Sequence, residues 1–293
     1  MQDLLAQEAV ETRLALATTL VDQQRPTEAH RALDDILWLQ PNNATAYALR
    51  GEVYRQQGSK EASAQAYQRA FALDPTQVNV YFALNNQLGQ RGERQTTVAT
   101  LLARAMKANP DEAVLALALG DQLEESGRPR SAIAAYHSAI DKFEAYTQPN
   151  RLNRQSNQVG RAYAYARLAA VSEDMGEIEP AMNYYAAAAA AAPDFAWPQT
   201  ILGDALRRRG ETDAAVTAYT RAVTLDRNSS DAYLRLADLY AAKGDAVQVE
   251  HYRTLTLQTV ITETRQALTN PPDSIKEQTQ ATAFLRTSVN TNA

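Results

Sequence analysis

A periodicity of 34 residues is the feature of this sequence that most limits how the chain can fold. Three segments share a glycine, a second glycine seven residues later, a tyrosine sixteen residues after the first glycine and an alanine three residues beyond the tyrosine. These segments begin at Gly51, Gly120 and Gly203. Weaker copies fill the chain between them, and a seventh copy opens at Tyr233 and decays after Gly244. Self-similarity at a fixed period of this length is the signature of a repeat architecture.

The content of each copy is helical. Apolar and small residues recur at spacings of three and four, which places them on one face of a helix. A glycine or glutamine near the midpoint interrupts the pattern, and Pro41, Pro75, Pro110 and Pro193 close copies where a helix must stop. Alanines recur where two helices would cross, because small side chains let the axes approach. The sequence therefore predicts an all-α chain of antiparallel helix pairs.

The composition and motifs of the sequence exclude several kinds of catalytic and metal-binding site. The chain has 293 residues with no cysteine, which excludes disulfides, thiolate metal sites and cysteine nucleophiles. The three histidines, His30, His137 and His251, lie in well-separated repeats, so we do not expect them to converge on one metal. No phosphate-binding loop or hydrolase motif is present. We therefore predict a protein that is not an enzyme and has no cofactor.

The charge and hydropathy of the sequence bear on the protein's cellular location and on the class of its partners. The chain carries 29 Lys+Arg against 34 Asp+Glu, a net charge of −5, which disfavours a broad nucleic-acid surface. The first 21 residues lack the basic and apolar regions of a signal peptide, and no stretch approaches the length of a membrane span. A cytoplasmic location is the default expectation, with a periplasmic or extracellular one left open.

The periodicity also predicts the domain organisation. Residues 1–269 form the helical array, with a closing helix over Val247–Leu268, and residues 270–293 form a polar tail. An insertion at 147–161 carries Arg151, Arg154 and Arg161 and no acidic residue. Insertions in repeat arrays often map to a binding face. A solvated loop followed by an early start of the next helix is the alternative.

The repeats, over about Val10 to Val249, resemble those of the tetratricopeptide repeat (TPR) family, with six to seven copies in register. The resemblance implies a right-handed superhelical solenoid whose first helices line a concave groove for extended peptides or helices of partner proteins. It also implies which positions of those helices face the partner. Carried onto this chain, the positions are Glu52, Arg55, Phe82, Asn86, Asp121, Glu124, Tyr163, Arg167, Trp197, Asp204 and Arg208.

The residue types at these positions suggest the partner's chemistry. The carboxylate clamp of chaperone-binding relatives is disfavoured because acids or alanines stand at most of its places. Acidic groove positions, Glu52, Asp121, Glu124, Glu125, Asp204 and Asp238, would instead attract basic or polar segments. Phe82, Tyr163 and Trp197 are the candidate anchors, since aromatic side chains dominate binding energy in many interfaces. Trp197 could equally belong to the core.

Three functions remain open from the sequence. The first is a non-catalytic scaffold that binds protein segments in the groove. The second is a self-assembling structural subunit, a head-to-tail homo-oligomer or filament joined through the solenoid ends and the tail. The third is the repeat portion of a larger enzyme, for which this chain carries no chemistry.

Overall fold

The computed structural model describes residues 2–89, 94–145 and 151–269, and within those ranges it contains fourteen α-helices and no β-strand. The all-α prediction is confirmed. The chain divides into two compact parts, Met1–Ala118 and Leu119–Ala293, and the division falls inside α7.

The first part contains six helices and the beginning of a seventh. These are α1 Gln2–Asp22, α2 Pro26–Leu39, α3 Ala44–Gln56, α4 Lys60–Leu73, α5 Val78–Gly89, α6 Arg94–Ala108 and α7 Ala113–Glu125. The second part contains the end of α7 and seven further helices. These are α8 Pro129–Ala145, α9 Arg151–Asp174, α10 Ile178–Ala191, α11 Ala196–Arg208, α12 Thr212–Leu225, α13 Ser230–Ala242 and α14 Ala246–Thr269.

Within each part, successive helices pack as pairs, and neighbouring pairs contact each other: α2 contacts α3 and α4 contacts α5 in the first part, and α10 contacts α11 and α12 contacts α13 in the second. In the first part α1 contacts α2, α3 contacts α4 and α5 contacts α6; in the second α9 contacts α10, α11 contacts α12 and α13 contacts α14. The helix interfaces are rich in buried alanine, with larger buried side chains among them. Leu33 and Ile36 are examples in the first part, and Tyr136 and Tyr219, each packed on the first helix of its own pair, are examples in the second. The predicted helix pairs are therefore present with the expected small residues at their crossings.

In the six pairs whose turn is described, the turn contains a residue with a left-handed backbone conformation. Positive φ angles occur at Gln24 (55°), Gly58 (74°), Gly127 (67°), Gly176 (79°), Gly210 (79°) and Gly244 (76°). At Gly58 the turn closes by hydrogen bonds from its own N–H to the Arg55 carbonyl, 3.0 Å, and from the Ser59 N–H to the Tyr54 carbonyl, 2.9 Å. Glycine suits this place because it adopts positive φ without a steric penalty. The second glycine of the repeat is thus explained by the backbone.

Asn43 caps the start of α3. Its side-chain oxygen accepts a hydrogen bond from the Ala46 N–H at 2.9 Å, satisfying one of the donors that a helix start leaves unpaired. We expect Asn43→Ala to lower the free energy of unfolding by about 1 kcal/mol, and Asn43→Ser to restore most of the loss. Urea denaturation followed by circular dichroism measures both. Equal stability of the alanine variant and the wild type would contradict the capping role.

The insertion and the closing helix can be placed on these elements. Residues 147–150 of the insertion lie outside the described residues, whereas Arg151 to Arg161 form the first turns of α9. The expected closing helix coincides with α14. The polar tail 270–293 and Gly92 of the third repeat lie outside the described residues.

Candidate partner-binding site

A tyrosine of the second helix meets an acidic residue of the first helix in three repeats. The Tyr67 hydroxyl donates to Glu52 at 3.0 Å, and the Tyr219 hydroxyl donates to Asp204 at 2.6 Å. The Tyr136 hydroxyl lies 2.7 Å from Asp121. Each acid directly follows the first glycine of its repeat. The repeated pattern of the sequence is therefore also a repeated hydrogen bond.

The preceding glycine makes room for the tyrosine ring. A Cβ built on Gly51 would lie 2.8 Å from the ring of Tyr67, one on Gly120 would lie 2.3 Å from that of Tyr136, and one on Gly203 would lie 2.7 Å from that of Tyr219. Carbon atoms in contact sit about 3.5–4.0 Å apart, so no larger residue fits while the ring stays in place. The ring lies flat on the first helix, which brings its hydroxyl to the next residue's carboxylate.

The fifth repeat shows what changes when the glycine is absent. Ala169 occupies its place and packs in the same cluster as Tyr185. The residue after it is alanine, and the Tyr185 hydroxyl instead donates to Glu173 at 2.8 Å. The tyrosine-to-acid bond is thus kept, with the acceptor moved three residues along α9.

The richest cluster of polar groups surrounds Asp121. Its carboxylate lies 2.7 Å from the Tyr136 hydroxyl, 3.2 Å from the Tyr163 hydroxyl and 3.4 Å from Arg167 Nε. Arg167 also reaches Glu124, with 2.7 Å between Nη2 and Oε1. Four of the eleven predicted site residues therefore come together here, from α7 and α9. We call these four residues and Tyr136 the Asp121 cluster.

Burial and charge act in opposite directions on Asp121. Removal of the carboxylate from water raises its pKa above the ordinary value, and the Arg167 guanidinium and the two tyrosine hydroxyls oppose that rise. The net direction is upward. Asp121 is thus a partly desolvated carboxylate that depends on its neighbours to remain charged.

Two further arginines join a first helix to the first helix of the next repeat. Arg208 of α11 binds Glu173 of α9 through two contacts of 2.8 Å. Arg235 of α13 binds Asp204 of α11 at 2.9 Å and Asp231 of its own helix at 3.0 Å. Burial would raise the pKa of Glu173, but the bonds from Arg208 and Tyr185 lower it below the ordinary value. The acids of successive first helices are therefore bridged by arginine.

In the first part of the chain, Glu52 and Arg55 pair within α3. Arg55 Nε lies 2.7 Å from Glu52 Oε2, and Arg55 Nη2 lies 2.5 Å from Glu52 Oε1. Burial acts to raise the pKa of Glu52, yet the bonds from Arg55, Tyr67 and Gln56 leave it lowered. This predicted pair is brought together, separately from the Asp121 cluster.

The aromatic candidates and Asn86 lie in different surroundings. Tyr163 is 4% exposed and belongs to the core as well as to the Asp121 cluster. Trp197 is half-buried and packs on Ala162, Ala191 and Ala192. Phe82 is half-buried with its ring 5.0 Å from that of Tyr81, and Asn86 is exposed on α5. Of these four residues, only Asn86 is exposed.

Sequence reasoning missed the residues that hold the site together. Two tyrosines, Tyr136 and Tyr219, donate hydrogen bonds to predicted site residues, but the sequence analysis uses them only to define the repeat. Arg235 forms an ion pair with Asp204, and the sequence analysis does not identify it. The signal for the tyrosines was present, since each recurs at a fixed distance from a glycine-acid pair. Among the described residues, no group of three or more histidine, aspartate or glutamate side chains could hold a metal ion.

A small cleft adjoins the Arg208–Glu173 pair in the second part of the chain. Its floor is apolar and its rim is charged. The lining includes Glu173, Ile178, Met182, Tyr185, Arg208 and Arg209. Arg209 is paired with Glu179 and Glu211, at 3.2 and 2.9 Å. The charged side chains at the rim of the cleft thus form ion pairs within the chain, as those of the Asp121 cluster do.

Comparison with protein families and solved structures gives one consistent result. Tetratricopeptide repeat models match residues 14–78, 162–195 and 203–244. The structure of the APC/C hetero-tetramer Cut9–Hcn1 matches with a TM-score of 0.52 and 15% identity, over 93% of this chain and 48% of the other. Yeast Tom70 matches with a TM-score of 0.51 and 17% identity, over 92% and 50%. The chain thus spans about half the length of each, and at these identities the likeness concerns the fold alone.

A comparison with curated proteins gives no match. Within the described ranges, no helix combines the length and the apolar character needed to cross a bilayer.

Proposed function

Because this chain belongs to the tetratricopeptide repeat family, we propose that it is a non-catalytic scaffold that binds segments of partner proteins along its first helices. The observation that carries the proposal is the row of bonded side chains on those helices in the second part of the chain. Asp121, Glu173 and Asp204 each accept a tyrosine hydroxyl and each contact an arginine. A surface whose side chains are already fixed loses little entropy when a partner binds.

The charge balance of this row supports a basic or polar partner segment. The Asp121 cluster has two carboxylates, Asp121 and Glu124, and one arginine, Arg167, so it has one carboxylate in excess. The pairs Glu52–Arg55 and Glu173–Arg208 are balanced, and Asp204 lies near Arg208 as well as Arg235. The proposed partner contributes cationic or hydrogen-bond-donating side chains at the Asp121 cluster.

In the first part of the chain, we propose Phe82 and Asn86 of α5 as a contact surface of its own. The Phe82 ring is half-buried, so a partner side chain can cover its outer part without displacing the core. Aromatic residues held in this way often act as binding anchors. Trp197 contributes less, because its ring already packs on three alanines.

Site-specific photo-crosslinking tests the surface. A photoreactive amino acid at Asn86 or at Asp238, both exposed on first helices, should capture the same partner from cells. The matched controls are Thr217 and Arg221, which are exposed on the second helix α12. Capture from the first helices and not from α12 is the expected result. Equal capture from both sets would place the contact elsewhere and contradict the proposal.

The captured segment also tests the charge argument. Mass spectrometry of the crosslinked peptide gives its sequence, and we expect a net positive charge in it. Binding should weaken as salt rises from 50 to about 500 mM, since exposed charges are screened over about 10 Å at 0.1 M. A captured segment of net negative charge would contradict the partner class while leaving the surface in place.

A further inference from the structure

Helix α14 packs against the preceding helices with one face, and side chains on its other face are exposed. On the inner side, the Tyr252 ring stacks on Tyr240 at 5.5 Å and on Tyr233 at 6.3 Å, and Thr259 is buried. On the outer side, Leu257 is 64% exposed and Ile261 is 54% exposed. Val247 and Val260 are exposed as well. Four exposed aliphatic residues on one helix form a surface of the kind that marks an interface.

The outer face is a continuous stripe. Successive residues of a helix are rotated by about 100°, so Leu257 and Ile261, four residues apart, lie side by side at its centre. Glu250 and Thr254 continue the stripe toward the start of α14, and Arg265 continues it toward the end. All five residues are exposed. The centre of the stripe is aliphatic, and its two ends carry opposite charges.

We propose that this stripe binds the same stripe of a second copy of the chain, with the two α14 helices antiparallel about a two-fold axis near Leu257 and Gln258. Positions equidistant from the axis then face each other. Glu250 of one copy lies opposite Arg265 of the other, and the symmetry makes this contact twice. Ile261 lies opposite Thr254, and the two Leu257 side chains meet near the axis.

The charge pattern selects this occupant and this orientation. A parallel pairing would place Glu250 against Glu250 and Arg265 against Arg265, which is repulsive. The antiparallel pairing replaces both repulsions by attractions, and charges at the rim of an interface mainly fix its orientation and register. The pairing uses the exposed face of α14, the last of the described helices, and none of the first-helix residues proposed to contact partner segments. It is also two-fold and closed, unlike head-to-tail assembly, which can extend without limit.

Light scattering after size-exclusion chromatography tests the dimer on the full chain. With rising concentration, the mass should rise from 32.2 kDa and level off at twice that value. Leu257→Asp and Ile261→Asp should each weaken association at least tenfold with an unchanged circular dichroism spectrum, since both side chains are exposed. The matched control is Leu16→Asp on α1. The Leu16 side chain is likewise exposed, at 53%, and this variant should dimerise as the wild type does. A mass that stays at one chain, or that grows beyond two, would overturn the proposal.

Two single-cysteine variants test the orientation of the two helices, and they remain informative even if an aspartate variant fails to fold. Because the chain has no cysteine of its own, any disulfide must join the introduced cysteines of two copies. Leu257→Cys should form a covalent dimer on oxidation, because the two sulfurs meet near the axis. Val247→Cys should not, because ten residues of helix put it about 15 Å from the axis. The reverse result would contradict the antiparallel register.

Charge exchange gives the second orientation test. Glu250→Arg alone should weaken the dimer about tenfold by facing Arg265 of the other copy. The double variant Glu250→Arg, Arg265→Glu should restore the wild-type affinity, because both facing pairs are again opposite in charge. A double variant no tighter than the single one would overturn the facing arrangement.

Discussion

Replacement of Gly120 by alanine is expected to lower the free energy of unfolding by about 2 kcal/mol, although alanine is the better helix former. The new Cβ would lie 2.3 Å from Tyr136 Cε1 and 2.5 Å from Cδ1. The ring is fully buried, and its hydroxyl is fixed beside Asp121 and Glu124. Overpacking of this kind costs about 1–3 kcal/mol or more, against a gain of up to about 1 kcal/mol in helix propensity.

The three glycine-tyrosine contacts give an internal ranking for this prediction. The Cβ distances are 2.3 Å at Gly120, 2.7 Å at Gly203 and 2.8 Å at Gly51, so Gly120→Ala should be the most damaging of the three. Urea denaturation measures the order. Ala169→Gly, at the equivalent place in the fifth repeat, is the matched control and should also destabilise, by about 1 kcal/mol, because there the alanine already fits.

A double variant separates the steric cause from others. Once the ring is removed in Tyr136→Ala, the extra methyl group of Gly120→Ala has space. We expect the double variant to be no less stable than Tyr136→Ala alone, which gives a large coupling energy between the two positions. Additive losses, or a Gly120→Ala variant as stable as the wild type, would contradict the steric account.

The sequence predicted the fold well because the determining information is local and repeated. The helix pairs, the turn glycines and the closing helix follow from periodicity and from backbone preferences of single residues. The glycine-tyrosine spacing established the repeat, but it indicated neither that the ring packs on the glycine nor that its hydroxyl donates to the next residue's carboxylate. A spacing along the sequence does not specify the contacts that a side chain makes across two helices.

The candidate site was less predictable for a different reason. Asp121, Asp204 and Glu124 were read as charges available to a partner, since a helix pattern tells which face a residue occupies. Arg167 and Arg235 neutralise part of that charge from the following repeat. Which arginine reaches which acid depends on how consecutive pairs stack, and the period alone does not contain that geometry.

The insertion shows the same limit. From its composition it could have been a loop on a binding face or an early start of the next helix. Residues from Arg151 onward are helical, and Gly160 lies against Phe143, where a Cβ would come within 2.3 Å of the ring. Gly160 falls outside the repeat pattern, so no periodic signal marked it as a packing residue.

Replacement of Arg167 by methionine is expected to cost about 2 kcal/mol of stability at pH 7. Methionine keeps most of the apolar length but leaves Asp121 and Glu124 close together without a cation. Removing one partner of a fully buried ion pair costs about 3–5 kcal/mol. The Arg167 side chain is 23% exposed and the Asp121 side chain 32% exposed. Water therefore screens part of the interaction between the charges, and the expected loss of stability is smaller than for a fully buried pair.

The loss should depend on pH in a defined direction. Burial already raises the pKa of Asp121, and Arg167 opposes the rise, so the variant's Asp121 should have a still higher pKa. A carboxyl group whose pKa is higher in the folded than in the unfolded state stabilises the fold as the pH falls through the folded pKa. The penalty of Arg167→Met should therefore be smaller at pH 5 than at pH 7.

Two measurements check this account. The pH titration of the Asp121 carboxyl carbon by NMR should show a higher pKa in Arg167→Met than in the wild type. Urea denaturation at pH 7 and pH 5 should show the smaller penalty at the lower pH, and the additional change Asp121→Asn should remove most of that pH dependence. Arg167→Lys, which keeps the charge and loses the two-sided contact, should lie between the wild type and methionine. A penalty that is equal at pH 5 and pH 7 would show that Arg167 stabilises the second part of the chain by packing and not by holding the charge of Asp121.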